Sequence, residues 1–169
     1  NLYWRDEGTF TGEVSAAQLH GVVQYAILGH SDRRHIFGER NKDIRNKVQA
    51  AIRNGIKPIL CIGETAGEKA DGETYDVLHD QLLGGLANVT SDEFDQIVVA
   101  YAPVWALSHG VDLLKPTTPT PKDFKKFESA IRRSTHQLYG QAASRRVRKL
   151  YGGSTNRHNT SALLNVEGH

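Results

Sequence analysis

Three short segments carry the groups with which this chain could do chemistry, and each follows a run read as a strand. His30 stands directly after Tyr25-Ala26-Ile27-Leu28-Gly29, and parallel α/β folds gather their functional groups just past the C-terminal ends of strands. Tyr151-Gly152-Gly153-Ser154 ends the run that begins at Arg148. In such a turn the backbone N–H groups and a serine hydroxyl can face an anion; the alternative is a plain flexible turn. The third segment is Ala100-Tyr101-Ala102-Pro103-Val104-Trp105-Ala106, which closes the run Ile97-Val98-Val99. It occupies the place where an acid or base is looked for, but the methyl of Ala102 cannot take a proton. His109 and Asp112, in the loop beyond, are substitutes only if that loop refolds toward the site.

Other chemistries have no footing. The eight histidines are scattered and the single cysteine, Cys61, has no Cys-x-x-Cys partner, so no metal-ligand spacing exists. Neither a phosphate-binding P-loop nor a dinucleotide fingerprint is present.

The elements that must position these groups alternate strand with helix, the pattern of βα units around a parallel sheet. Strands are expected at Tyr25–Leu28, Pro58–Ile62, Ile97–Tyr101 and Arg148–Tyr151. They read as near-continuous apolar runs, as strands covered on both faces do. One helix is expected to start with Asn41 as its N-cap and to stack Ile44, Val48 and Ile52, with Gly55 as a left-handed C-terminal cap. A second aligns Leu78, Leu82 and Leu86, and Gly84-Gly85 should fray its end. Thr120-Pro121-Lys122-Asp123 is a helix start, followed by the stripe Phe124, Phe127, Ile131 and Leu138. A short closing helix is expected at residues 159–164.

The 169 residues, 38% hydrophobic and 24% charged, suit one domain, 1–169, with a sizeable core. A net charge of +2 gives no argument for a nucleic-acid partner, and the clusters Arg132-Arg133 and Arg145-Arg146-Val147-Arg148-Lys149 read as solvated surface. No apolar run reaches the roughly 20 residues of a membrane helix, and the first residues lack the order of a signal peptide. One cysteine fits a reducing compartment, hence a cytoplasmic protein. Methionine is absent, so the chain reads as an internal or trimmed piece of a longer product.

Four motifs in order, Gly29-His30-Ser31-Asp32-Arg33-Arg34, Cys61-Ile62-Gly63-Glu64, Ala100 to Ala106 and Tyr151-Gly152-Gly153-Ser154, make the chain resemble the triosephosphate isomerase family. Thr11-Gly12-Glu13 also matches and reads as structural. The resemblance implies a partial (β/α)₈ barrel of four to five βα units, with earlier strands and the last βα unit lying outside 1–169. A four-strand arc of this kind would leave two open sheet edges.

The resemblance also implies roles. His30 is the neutral imidazole that polarises a substrate carbonyl, a histidine for which this family is a standard example. Ala102 replaces the glutamate base. Pro103, Val104 and Trp105 form one hinge of a lid loop that ends near Gly110, with Ser108 where the family has a phosphate-binding glycine. Gly152, Gly153 and Ser154 form the phosphate turn. Cys61 and Glu64 are supporting residues whose bland reading is core packing with a loop salt bridge. Asp32 stands where the family has glutamate, one methylene shorter. The implied reaction interconverts dihydroxyacetone phosphate and glyceraldehyde 3-phosphate through an enediol, in glycolysis and gluconeogenesis, with no cofactor. The expected partners are a three-carbon phosphate ester and a second copy of the chain, with no membrane and no nucleic acid. With Ala102 as written, little or no activity is expected. The alternatives are a non-catalytic relative that binds a phosphorylated ligand and a protein-interaction module on the same fold.

Overall fold

Four parallel strands, hydrogen-bonded in chain order, frame the chain: β1 (Tyr25–Leu28), β2 (Lys57–Ile62), β3 (Val98–Tyr101) and β4 (Arg148–Tyr151). The structure, a computed structural model, describes residues 1–107, 119–155, 157 and 160–164. The helices are α1 (Ala16–Leu19), α2 (Ser31–His35), α3 (Asn41–Arg53), α4 (Ala66–Ala70), α5 (Thr74–Leu86), α6 (Ser91–Phe94), α7 (Pro121–Arg146) and α8 (Thr160–Leu164). Parallel neighbours joined through helices are what a partial (β/α)₈ barrel requires.

The core lies between the sheet and α3, α5 and α7. Ile44 and Val48 of α3, Leu78, Leu82 and Leu86 of α5, and Phe124, Phe127 and Ile131 of α7 pack against Leu28, Leu60, Ile62, Val99 and Tyr101. The apolar periodicities fall on the buried faces as expected. Only the central strands are covered on both sides. β3 is buried throughout, whereas β1 alternates and β4 is half-buried at best. Tyr25, Ile27 and Leu150 are exposed because no fifth strand lies beside them among the described residues.

Two local expectations are corrected. Asn41 is the first residue of α3 and does not cap it: its side chain accepts from Arg34 Nη1 at 2.8 Å and donates to the Asp80 carbonyl at 3.3 Å. Gly84-Gly85 does not fray α5, which runs on to Leu86. A Cβ on Gly84 would lie 2.6 Å from the Asn41 Cβ, so the glycine lets α5 approach α3. Gly140, at φ +82°, kinks α7 in a conformation that side chains disfavour.

The Thr120 cap of α7 holds as expected. Its backbone N–H and its hydroxyl donate to Asp123 Oδ2 at 2.8 and 2.7 Å, and Lys69 Nζ lies 2.9 Å from Asp123 Oδ1. Burial raises the Asp123 carboxyl, but the bonds from Thr120 and Lys69 outweigh it and hold the group below its ordinary range. A carboxyl depressed by folding contributes stability above its unfolded pKa, and that contribution is lost as pH falls through the lower folded value. Urea midpoints measured between neutral pH and pH ~2 will therefore drop more steeply below about pH 4 in the parent chain than in Asp123→Asn. Parallel curves would remove Asp123 from that account.

Candidate functional site

The strand ends bring His30, Ala102 and the Gly152–Ser154 turn to one edge of the sheet, with Cys61 and Glu64 between them. Gly29, at φ +71°, turns the chain out of β1. His30 then caps α2, its Nδ1 accepting the Asp32 N–H at 3.2 Å. A ring nitrogen that accepts a backbone N–H holds a lone pair, so the neutral imidazole carries its proton on Nε2. Asp32 Oδ2 lies 3.4 Å from the same Nδ1 and favours a proton there. One nitrogen cannot serve both, and the bond set by the helix turn outranks a half-exposed, solvent-screened carboxylate. His30 thus presents Nε2–H as a donor.

Ala102 sits one residue beyond β3. Its N–H donates to the Ile62 carbonyl at 2.8 Å. A Cβ on Gly63 would fall 2.1 Å from the Ala102 oxygen, so only glycine permits this approach of two backbones. With Cys61 and Ala100, Ala102 forms a small buried cluster, against which Ile59 packs. Ala102, Gly63, Cys61, Gly29, Ser31 and Arg34 line a crevice too narrow for a water molecule. The Ser31 hydroxyl in its wall is buried and has no hydrogen-bond partner among the described residues. Native proteins seldom leave such a group unpaired. Burial pulls the Arg34 guanidinium down to about 10, and that group donates to Gly29 O, Asn41 Oδ1 and Cys61 O. Burial likewise pushes the Cys61 thiol up to about 11. Cys61 will therefore react with iodoacetamide at pH 8 far more slowly than glutathione does, unless urea unfolds the chain; equal rates would place the thiol in solvent.

Pro103 leads into a 3-10 turn, Val104–Ala106. Trp105 Nε1 donates to Glu64 Oε1 at 3.1 Å, the Tyr101 hydroxyl to the same oxygen at 3.0 Å, and the Thr74 hydroxyl at 3.4 Å. The Val104 N–H donates to the Glu64 carbonyl at 2.9 Å. Glu64 is buried and makes no ion pair among the described residues. The loop salt bridge expected from sequence is therefore replaced by three neutral donors, which satisfy the carboxylate without burying a second charge. Burial, and then the Glu64 charge, push the Tyr101 hydroxyl well above its ordinary range, so it remains a donor.

Past β4, Gly152 donates its N–H to the Tyr101 carbonyl at 2.7 Å, and Ser154 donates to the Ala106 carbonyl at 3.1 Å. A Cβ on Gly153 would lie 2.0 Å from the Tyr151 hydroxyl, which accounts for the second glycine. An anion at this turn would take the Ser154 N–H only by displacing Ala106. Ser108 and Gly110, and with them His109 and Asp112, lie outside the described residues.

Sequence reasoning missed two members of this site. Ser31 was legible only as part of the Gly-His-Ser run, and nothing local marks its hydroxyl as unpaired. Lys69, whose ammonium lies 3.3 Å from the centroid of the Trp105 ring, had no signal beyond being a lysine on a short helix. Among the described residues no group of His, Cys, Asp and Glu is arranged to hold a metal, and no helix is long and apolar enough to cross a membrane.

The family model described as triosephosphate isomerase matches residues 1–169. The triosephosphate isomerase of Carboxydothermus hydrogenoformans is 41% identical over 165 residues, 97% of this chain and 63% of the relative. That of Trichlorobacter lovleyi is 39% identical over 165 residues, with 97% and 63% covered. That of Alkaliphilus oremlandii is 37% identical over 166 residues, with 98% and 64% covered. The chain spans a little under two thirds of the length of these relatives.

Proposed function

Because the chain belongs to the triosephosphate isomerase family, we propose that it binds a three-carbon phosphate ester at the strand ends and lacks the proton transfer of the family's reaction. The observation that carries this reading is Ala102: a methyl stands at the β3 exit, in a crevice it shares with a buried Ser31 hydroxyl that has no partner among the described residues. His30 would polarise the substrate carbonyl through Nε2–H, favouring an enediol. No group at position 102 then takes the carbon-bound proton. General acid–base catalysis supplies roughly 10²–10⁴ in rate, so turnover between dihydroxyacetone phosphate and glyceraldehyde 3-phosphate is expected to be negligible. The same reading carries a cytoplasmic, cofactor-free protein of glycolysis and gluconeogenesis that pairs with a second copy of itself, now working as a pseudoenzyme.

Calorimetric titration with 2-phosphoglycolate, an enediolate mimic, tests the reading alongside a turnover assay. Saturable binding with background turnover is the expected pair. Silence at millimolar ligand would favour a protein-interaction module, and brisk conversion would mean that another group acts as base.

A further inference from the structure

The two faces of the sheet are unequally covered. Helices α3, α5 and α7 pack on the face that carries Leu28, Leu60, Val99 and Tyr101. Side chains alternate along a strand. The register Ile27↔Ile59, Ile59↔Val98, Cys61↔Ala100 and Ala100↔Leu150 therefore puts these residues on the opposite face. There Cys61, Ala100 and Ala102 form a small cluster apart from the helix-packed core. At the two margins of this face, Tyr25 and Ile27 of β1 and Leu150 of β4 are 42, 50 and 47% exposed. The margins are also the free edges of the sheet, since β1 and β4 each pair on one side only among the described residues. Parallel sheets are as a rule covered on both faces, and an open edge bearing apolar side chains is a template for another strand.

We propose that two copies of this chain close their sheets into one eight-stranded barrel, β4 of each copy lying against β1 of the other. A closed βα barrel takes eight parallel strands, and its interior layers draw their side chains from alternate strands. Four parallel strands in unbroken order are half of that ring. A twofold axis along the barrel keeps every strand parallel, brings β4 to β1 at both seams and leaves no edge. Tyr25, Ile27 and Leu150 then turn into a shared interior, and each layer takes two side chains from each copy. The flanks that meet are of opposite charge. Beside β4, a groove lined by Lys125, Arg132, His136, Arg145 and Lys149 has Glu128 as its one carboxylate among the described residues. The segment leading into β1 exposes Glu7 and Glu13 and holds one arginine, Arg5. Such complementarity steers encounter and fixes register. The inference goes beyond the pairing of copies in the family reading, which names no surface, and it needs no substrate.

Size exclusion with light scattering reads the mass of the 169-residue chain and of two variants. The parent is expected to run as a discrete dimer that dissociates on dilution. Ile27→Asp puts a charge at the β1 margin and Leu150→Lys puts one at the β4 margin. Both positions are about half exposed within one copy, so each variant keeps its fold, which circular dichroism checks. Each alone is expected to be a monomer, its dissociation constant raised about 100-fold or more, because the closed interior would hold an unpaired charge. Mixed in equal amounts, the two variants are expected to return to a dimer. One seam then joins the new carboxylate to the new ammonium, and the other keeps Ile27 with Leu150. Within one copy these positions lie three strand spacings apart, about 14 Å, so recovery on mixing arises only between copies. A parent that stays monomeric overturns the proposal, including one whose edges instead capture the remaining part of a relative's chain. A dimer indifferent to both substitutions rests on another surface and overturns it too. So does a ladder of higher oligomers, which is edge pairing without closure. Variants that dissociate singly and fail to recover on mixing deny the seam.

Discussion

Ala102→Glu is expected to raise triose phosphate isomerisation by about 10²–10⁴-fold over the parent chain, the span that a positioned general base contributes. In barrier terms this is about 3–5 kcal/mol. The argument is local. Ala102 is anchored by its own N–H on the Ile62 carbonyl, and its carbonyl lies hard against Gly63, so its Cα will not move when the side chain grows. Ala102→Gln has the same length and no basic oxygen and should gain nothing. Ala102→Asp is one methylene short and should recover only a small part, since a misplacement of ~1 Å costs on the order of 10² in such reactions. If the Glu and Gln variants turn over at the same rate, the β3 exit is not where the proton is taken.

Lys47→Ala is expected to cost ~3–5 kcal/mol of folding stability, the penalty for stripping one partner from a buried ion pair. Lys47 is 1% exposed. It pairs with Glu39, itself nearly buried, and donates to Asn1 Oδ1 at 3.0 Å; Arg33 reaches the same Glu39 oxygen at 2.6 Å. The other Glu39 oxygen already has no partner among the described residues. Removing the ammonium would leave that carboxylate more poorly solvated still, with Arg33 as its remaining counter-charge. The double variant Lys47→Met/Glu39→Leu should be more stable than Lys47→Ala, because two apolar groups of similar size need no water at all. Urea denaturation of the parent, single and double variants measures both differences. A single variant within ~1 kcal/mol of the parent would mean that water already reaches the pair.

The parts of this fold that could be read in sequence are those set by neighbours along the chain. The four strands, the Thr120 cap, the stripe on α7 and the motifs after each strand depend on residues within a turn or two of each other. What could not be read depends on contacts across the fold. Lys47 looks like any helix lysine until Glu39 and Arg33 converge on it. Gly84 looks like a frayed end until α3 lies against it. Glu64 was expected to meet a cation, and the fold brought it Tyr101, Trp105 and Thr74, from 37, 41 and 10 residues away. The apolar reading of β1 and β4 placed them on a covered sheet, and their outer halves are bare because coverage belongs to neighbours and not to the strand. His30 and Ala102 were placed by motif order, yet the tautomer of His30 and the orphaned hydroxyl in the crevice that Ala102 lines needed coordinates.

The close approach of Gly63 to the Ala102 carbonyl has an evolutionary reading. The exits of β2, β3 and β4 are fastened by main-chain bonds, Ala102 to Ile62, Val104 to Glu64 and Gly152 to Tyr101, beside the side-chain bonds that Tyr101 and Trp105 make to Glu64. Those main-chain bonds survive an exchange of the side chain at residue 102, although whatever stands there must still share a buried cluster with Cys61 and Ala100. A side chain at Gly63 would instead drive two main chains apart, so that position is guarded by the frame whether or not a lineage turns over substrate.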